Sequence, residues 1–351
     1  MLVCFGALAA LSACRQVAGI EDIKLTGGDG GAQVGVPSVV FTRGNETVDE
    51  IIVDGPYVYA RTFSGILRCP STGCGSTPEA LVSFGPSDVV NDMALAGDSI
   101  YYALSGTSLD DDGGAPVPAN DGTIHKVGKD GKGGSVFKGG LGDAVALGAD
   151  ATNLYWLDDP NGLGANGTAT ASRCALGTCV TAQSIITGID TALITASDTH
   201  FFVRGTDLYV FAADGVTQAL YTCATATPCG ATPKKFATGL DSDDDFFPDP
   251  ARLFYVTAKG DVGYLDATGT KKVLVGGQAA PTSIVADASF VYFTTPTTGT
   301  VLRMPNTGSP ATPAPFATQQ PGATGLAQDA TSVYWIIETG AGGNTVMRLA
   351  K

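Results

Sequence analysis

One short pattern recurs seven times along this chain, and a repeat restricts the fold more than any composition can. Each copy is a short apolar strand, a turn carrying Asp or Gly, and a second strand with aromatics. The series opens at Val53-Asp54-Gly55-Pro56-Tyr57-Val58-Tyr59 and continues at Leu95-Ala96-Gly97-Asp98-Ser99-Ile100-Tyr101-Tyr102. It recurs at Gly148-Ala149-Asp150-Ala151-Thr152-Asn153-Leu154-Tyr155-Trp156 and, diverged, at Ala196-Ser197-Asp198-Thr199-His200-Phe201-Phe202. The last three copies begin at Asp249, Ala286 and Asp329 and end on Phe254-Tyr255, Tyr292-Phe293 and Tyr334-Trp335. Asp, Asn and Ser bond their own backbone in such turns, and aromatic and β-branched residues suit the packed strand.

A second hairpin follows most copies. Thr300-Val301-Leu302-Arg303-Met304-Pro305-Asn306-Thr307-Gly308 is the clearest, and Gly65-Ile66-Leu67-Arg68-Cys69-Pro70-Ser71-Thr72-Gly73 matches it closely. Four short strands per unit make a propeller blade. The aromatics Tyr59, Tyr101, Tyr155, Phe201, Phe254, Tyr292 and Tyr334 stand 42, 54, 46, 53, 38 and 42 residues apart. Blades of about 40 to 45 residues account for this, with insertions in the longer gaps. The chain is therefore expected to be an all-β, seven-bladed β-propeller, a count that fits better than six or eight. The last blade stops at its third strand, Thr345-Val346-Met347-Arg348-Leu349, while Pro37-Ser38-Val39-Val40-Phe41-Thr42 has no blade of its own. The N-terminal segment is expected to pair with the C-terminal blade and close the ring, removing an edge that invites aggregation.

Length alone would suggest two domains for 351 residues, but 47 Gly and 19 Pro punctuating short apolar runs point to one long all-β array over 37–351. A net charge of −14 argues against nucleic acid as a partner and against simple electrostatic docking of the whole chain on anionic lipid. A monomer is expected.

Met1 to Ala13 is an apolar run too short to span a bilayer, read as a signal segment. Leu11-Ser12-Ala13-Cys14 matches a bacterial lipobox, so Cys14 is expected to be lipidated and to provide the only membrane attachment. No Lys or Arg precedes the run. Arg15 at the second mature position points to outer-membrane sorting, facing the periplasm or the surface; an ordinary cleaved signal would give a secreted protein. Residues 14–36, Gly-rich and polar, read as a flexible tether. With the Cys14-Arg15-Gln16-Val17-Ala18-Gly19-Ile20-Glu21-Asp22 start and the Asp-to-Tyr-Trp repeat, the chain resembles secreted, often lipidated propeller proteins of Gram-negative, myxobacterial-type bacteria, with TolB-like and NHL-like propellers. That resemblance implies a fold and little function.

Six of eight cysteines form close pairs: Cys69 with Cys74, Cys174 with Cys179, and Cys223 with Cys229. Across the turn of an outer hairpin, in an oxidising compartment, these predict three local disulfides. Thiolate metal sites would need ligands converging from separate blades. Cys4 leaves with the signal segment.

Little chemistry is visible. Of two histidines, His125 lies in a hydrophilic stretch and His200 reads as a strand residue occupying a Val or Leu slot. No nucleophile elbow or paired-histidine zinc signature is present. Asp54, Asp150, Asp249 and Asp329 recur at one repeat position and are expected to serve the turn. Asp241, Asp243, Asp245 and Asp249 crowd the entry to the fifth repeat and could supply oxygen ligands to calcium; Asp110-Asp111-Asp112 is a weaker candidate. No other cofactor and no catalytic residue is assigned. The leading functional expectation is a non-enzymatic cell-envelope scaffold whose loops bind a protein, peptide or glycan partner. The alternative is a propeller enzyme, a lyase or glycan hydrolase, with its site at the ring axis. The side chains at the central channel discriminate the two.

Overall fold

The computed structural model describes residues 35–105, 108–109, 117–118, 120–159, 168–191, 200–214, 217–240, 245–339 and 343–351. These form seven four-stranded antiparallel sheets, with a short pairing of Ser108–Leu109 and Val117–Pro118 in the second repeat. The protein is a seven-bladed β-propeller. Six blades are built from four strands consecutive in their sheet. The seventh combines three C-terminal strands with Ser38–Arg43, which pairs antiparallel with Gly343–Ala350. The N-terminal strand closes the ring, as the orphaned segment in the sequence required.

The first strand of each blade lies innermost, touching its counterparts in neighbouring blades. Those strands are Val48–Asp54, Val90–Ala96, Ala144–Ala149, Phe201–Arg204, Asp245–Pro248, Ile284–Ala286 and Ala323–Gln328. Strand direction alternates within every blade, which gives the ring two distinct ends. At one, the turn end, lie the turns joining first to second and third to fourth strands. At the other, the connection end, lie the loops joining second to third strands and the links from blade to blade.

The apolar faces of adjacent blades meet in layers. One cluster joins Val40, Phe41 and Val346 of blade 7 to Val58, Leu67 and Cys69 of blade 1, so the ring-closing seam is packed like the rest. Tyr59, Tyr101, Tyr155, Phe254, Tyr292 and Tyr334 are all buried in second strands. The fourth copy differs from the sequence reading. Phe201 begins a first strand, the turn is Gly205-Thr206, and the equivalent aromatic is Tyr209, paired with Phe202. His200-Phe201-Phe202 imitated the second-strand signature because first and second strands carry the same apolar residue types; only the pairing separates them.

The turns are of two kinds. In blades 1, 2 and 4 a two-residue turn contains Gly55, Gly97 or Gly205 at φ of 56°, 54° and 61°, a backbone that glycine adopts without cost. In blades 3 and 7 the aspartate builds the turn. Asp150 Oδ1 accepts from the amides of Thr152 and Asn153, and its Oδ2 from the Tyr155 hydroxyl at 2.7 Å. Asp329 does the same with Thr331, Ser332 and Tyr334. Burial works to raise these carboxyls, but the donated hydrogen bonds outweigh it and hold both below the ordinary range. Asp329→Ala is expected to cost about 2 kcal/mol, since it removes the charge-assisted bonds from the Thr331 and Ser332 amides and from the Tyr334 hydroxyl. A lower urea midpoint at unchanged slope, less than additive with Tyr334→Phe, is the measurement.

All three cysteine pairs are disulfides, each in the turn between third and fourth strands. Three disulfides mark a chain that folds in an oxidising, extracytoplasmic compartment. Each disulfide-closed turn also bonds the preceding blade. Cys74 N donates to Val40 O at 2.8 Å, and Thr42 N to Gly75 O at 3.0 Å. Leu176 O accepts from the Tyr101 hydroxyl at 2.6 Å, and Cys229 N donates to Ile185 O at 2.9 Å. A recurring third-strand cation works alongside them. Arg68 donates to Lys129 O, Lys126 to Leu176 O and Arg348 to Ser71 O, each reaching the next blade's turn.

Candidate functional site

Innermost strands carry an edge that no further strand covers, and their backbone donors need other partners. Nine residues before each repeat aromatic, at the connection end of every first strand, the seven blades place Glu50, Asp92, Ala146, His200, Asp245, Ser283 and Gly325. This ring of polar and small residues surrounds the axis. Three members bridge inner strand to inner strand. Asp92 Oδ2 accepts from Leu147 N at 2.6 Å, Asp245 Oδ2 from Ile284 N at 3.1 Å, and Ser283 Oγ from Leu326 N at 2.9 Å. In each case the donor is the residue just after the ring position in the next blade.

Glu50 behaves differently. Its partner across the ladder is Arg61, which donates to Glu50 Oε2 at 3.2 Å and to Val90 O at 3.1 Å. The Glu50 side chain remains 27% exposed. Burial, then the neighbouring Asp92 carboxylate, push the Glu50 carboxyl far above its ordinary range, against the opposing charge of Arg61. Asp92 is raised by burial against the amides of Leu147 and Met93. Two carboxyls this close favour sharing one proton. Asp245 is also raised by burial, opposed by the charge of His200 and by the Ile284 amide. His200 packs edge-on against Phe246 and Phe211, with ring centroids at 5.0 and 5.7 Å.

A second acidic group lies at the same end between blades 2 and 3. Asn91 Nδ2 donates to Asp143 Oδ1 at 2.7 Å, the amides of Gly142 and Asp143 donate to Asp158 Oδ1, and Thr191 Oγ1 donates to Asp159 Oδ2 at 2.5 Å. Burial raises Asp143 and Asp158. Carboxyls therefore sort by end. Among the described residues, those raised stand at the connection end, whereas those held low, Glu46 excepted, cap turns at the other.

Sequence reasoning missed the axial ring. Its signal was present, at a fixed distance before the repeat aromatic, but the fourth copy was placed on Phe201 and so hid His200. The four aspartates suggested for calcium do not form one group. Asp245 and Asp249 stand at opposite ends of Asp245–Pro248, about 13 Å apart at ~3.3 Å per residue, so one ion cannot take both. Asp241 and Asp243 lie outside the described residues, as do Asp110 to Asp112, Cys4 and Cys14. Among the described residues no group of three or more His, Cys, Asp or Glu is placed to hold a metal ion. His125 stacks on Tyr102 and bonds Thr123, away from the ring.

No protein-family model matches the sequence, and no curated protein matches it. Solved structures do. A virginiamycin B lyase from Staphylococcus aureus, determined in a catalytically inactive histidine-to-alanine form with quinupristin, superposes with a TM-score of 0.59 at 12% identity over 90% of this chain and 98% of that one. A streptogramin B lyase gives 0.60 at 10% identity over 88% and 95%. BamB from Moraxella catarrhalis gives 0.54 at 11% identity over 90% and 100%. At such identities the likeness is one of propeller fold.

Proposed function

We propose that this protein is an extracytoplasmic lipoprotein whose propeller is a scaffold that binds a protein, peptide or glycan partner at its connection end. Cys14 carries the lipid after removal of Met1 to Ala13, and the anchor sits in the outer membrane of the cell envelope. The observation that carries the binding reading is the axial ring of Glu50, Asp92, His200, Asp245 and Ser283. Carboxyls raised by burial are costly to keep, and such costs concentrate at functional sites. The three disulfides, which need an oxidising compartment, support the setting.

The test compares wild type with Glu50→Gln/Asp245→Asn as bait in crosslinking from envelope extracts. A partner held by wild type and lost by the double variant, both being equally folded, is the expected result. Equal recovery by both baits would remove the axial ring from the binding reading. A lyase or glycan hydrolase at the axis is the second reading, favoured by one observation: the charge of His200 acts on Asp245 beside it in the ring. New products from envelope glycan strands by mass spectrometry, absent with His200→Ala, would select it.

A further inference from the structure

The two ends of the propeller differ in charge as well as in chemistry. Among the residues whose side chains are described, the connection end carries 13 Asp and Glu against four Lys and Arg, and the turn end carries 10 against 14. An overall charge of −14 thus conceals a positive end. At that end Lys132, Lys234 and Lys272 are exposed on the outer rims of blades 2, 4 and 5. The chain enters the fold there too, because Gly35 packs on Leu349 and Ser38 pairs with Arg348. We propose that the turn end faces an anionic lipid surface, so that the connection end, with its axial ring, points away from the membrane.

The physical argument is one of screening. Glu50 and Asp92 stand four residues from the turn ends of their strands, about 13 Å at ~3.3 Å per residue. At about 0.1 M salt the Debye length is ~10 Å, so a membrane touching the turn end feels its positive excess more strongly than the attenuated negative charge of the far end. At about 0.01 M the length grows to ~30 Å, the whole charge is felt, and the protein is repelled. High salt removes both effects. Binding should therefore peak at intermediate salt rather than rise steadily on dilution.

The proposal rests on the anchored reading only for the significance of where the chain enters, and its test dispenses with the lipid. The chain carrying Cys14→Ser is mixed with phosphatidylglycerol or phosphatidylcholine vesicles at about 0.01, 0.1 and 0.5 M salt. Binding to the anionic vesicles alone, strongest at the middle value, is expected. Lys132→Glu/Lys234→Glu/Lys272→Glu, checked for an unchanged melting temperature, should weaken it by about tenfold or more. Lys259→Glu, at the opposite end, should leave it unchanged. Overturning results are no anionic preference at the middle salt, a preference the triple variant retains, or binding to a soluble anionic polysaccharide without vesicle binding. Loss of lipidation in cells would strike the anchor and leave this result standing.

Discussion

Phe41→Ala is expected to destabilise the entire propeller by about 3 to 5 kcal/mol, the range for truncating a fully buried aromatic. Total stabilities of folded domains are about 5 to 15 kcal/mol, so this one side chain near the start of the fold could account for much of the whole. The effect should be global, because Phe41 belongs to the cluster that joins blade 7 to blade 1. A ring opened at one seam exposes two blade faces and a free sheet edge together. A bulge between Val39 and Phe41 lets Val40 and Phe41 both be buried. It also presents Val40 O to Cys74 N, within the disulfide-closed turn of blade 1. Cys69→Ala/Cys74→Ala should itself cost ~2 kcal/mol, given the small loop closed. Because both changes act on one seam, their combination should be less than additive. Chemical unfolding followed by tryptophan fluorescence measures this, since Trp335 is buried in blade 7. A Phe41→Ala cost below about 1 kcal/mol, or one additive with the disulfide, would mean that the seam is not what holds the ring.

The second large effect runs in the stabilising direction. Glu50→Gln is expected to make the protein more stable at pH 8, by about 1 to 3 kcal/mol, and to leave it nearly unchanged at pH 4. The native carboxyl of Glu50 is raised above its unfolded value, by burial first and by Asp92 second. The native state therefore binds the proton more tightly than the unfolded chain does. Its contribution is fully present below the unfolded value and is lost as pH climbs through the raised one. Glutamine keeps an acceptor for Arg61 and the shape of the side chain while removing the charge. Arg61 retains Val90 O and Asp49, the latter at 3.6 Å, so no cation is stranded. Melting temperatures of both proteins from pH 4 to pH 8 should diverge steadily, with the variant flatter. Parallel curves would show that Glu50 ionises as freely as an exposed glutamate. If the variant also loses its partner, the strain is retained for binding rather than for the fold.

The seven repeats, the four-strand blade, the closing strand and the three disulfides are legible in the residues because they depend on local chemistry. Strands consecutive in sequence pair through short turns, and Asp150, Asp329, Gly55 and Gly97 announce those turns by side-chain bonding or by positive φ. The cysteine pairs read correctly for the same reason, since five or six residues of turn bring each pair together. Non-local relations were decided only by the tertiary structure. Glu50 and Asp92 lie 42 residues apart, and His200 and Asp245 lie 45 apart. They become neighbours because a closed ring brings one position of every blade around a single axis. The sorting of charge has the same origin. A lysine at the start of a fourth strand and an aspartate at the start of a first strand look equivalent in sequence. Alternating strand direction sends them to opposite ends, and that parity exists only once the strands are paired.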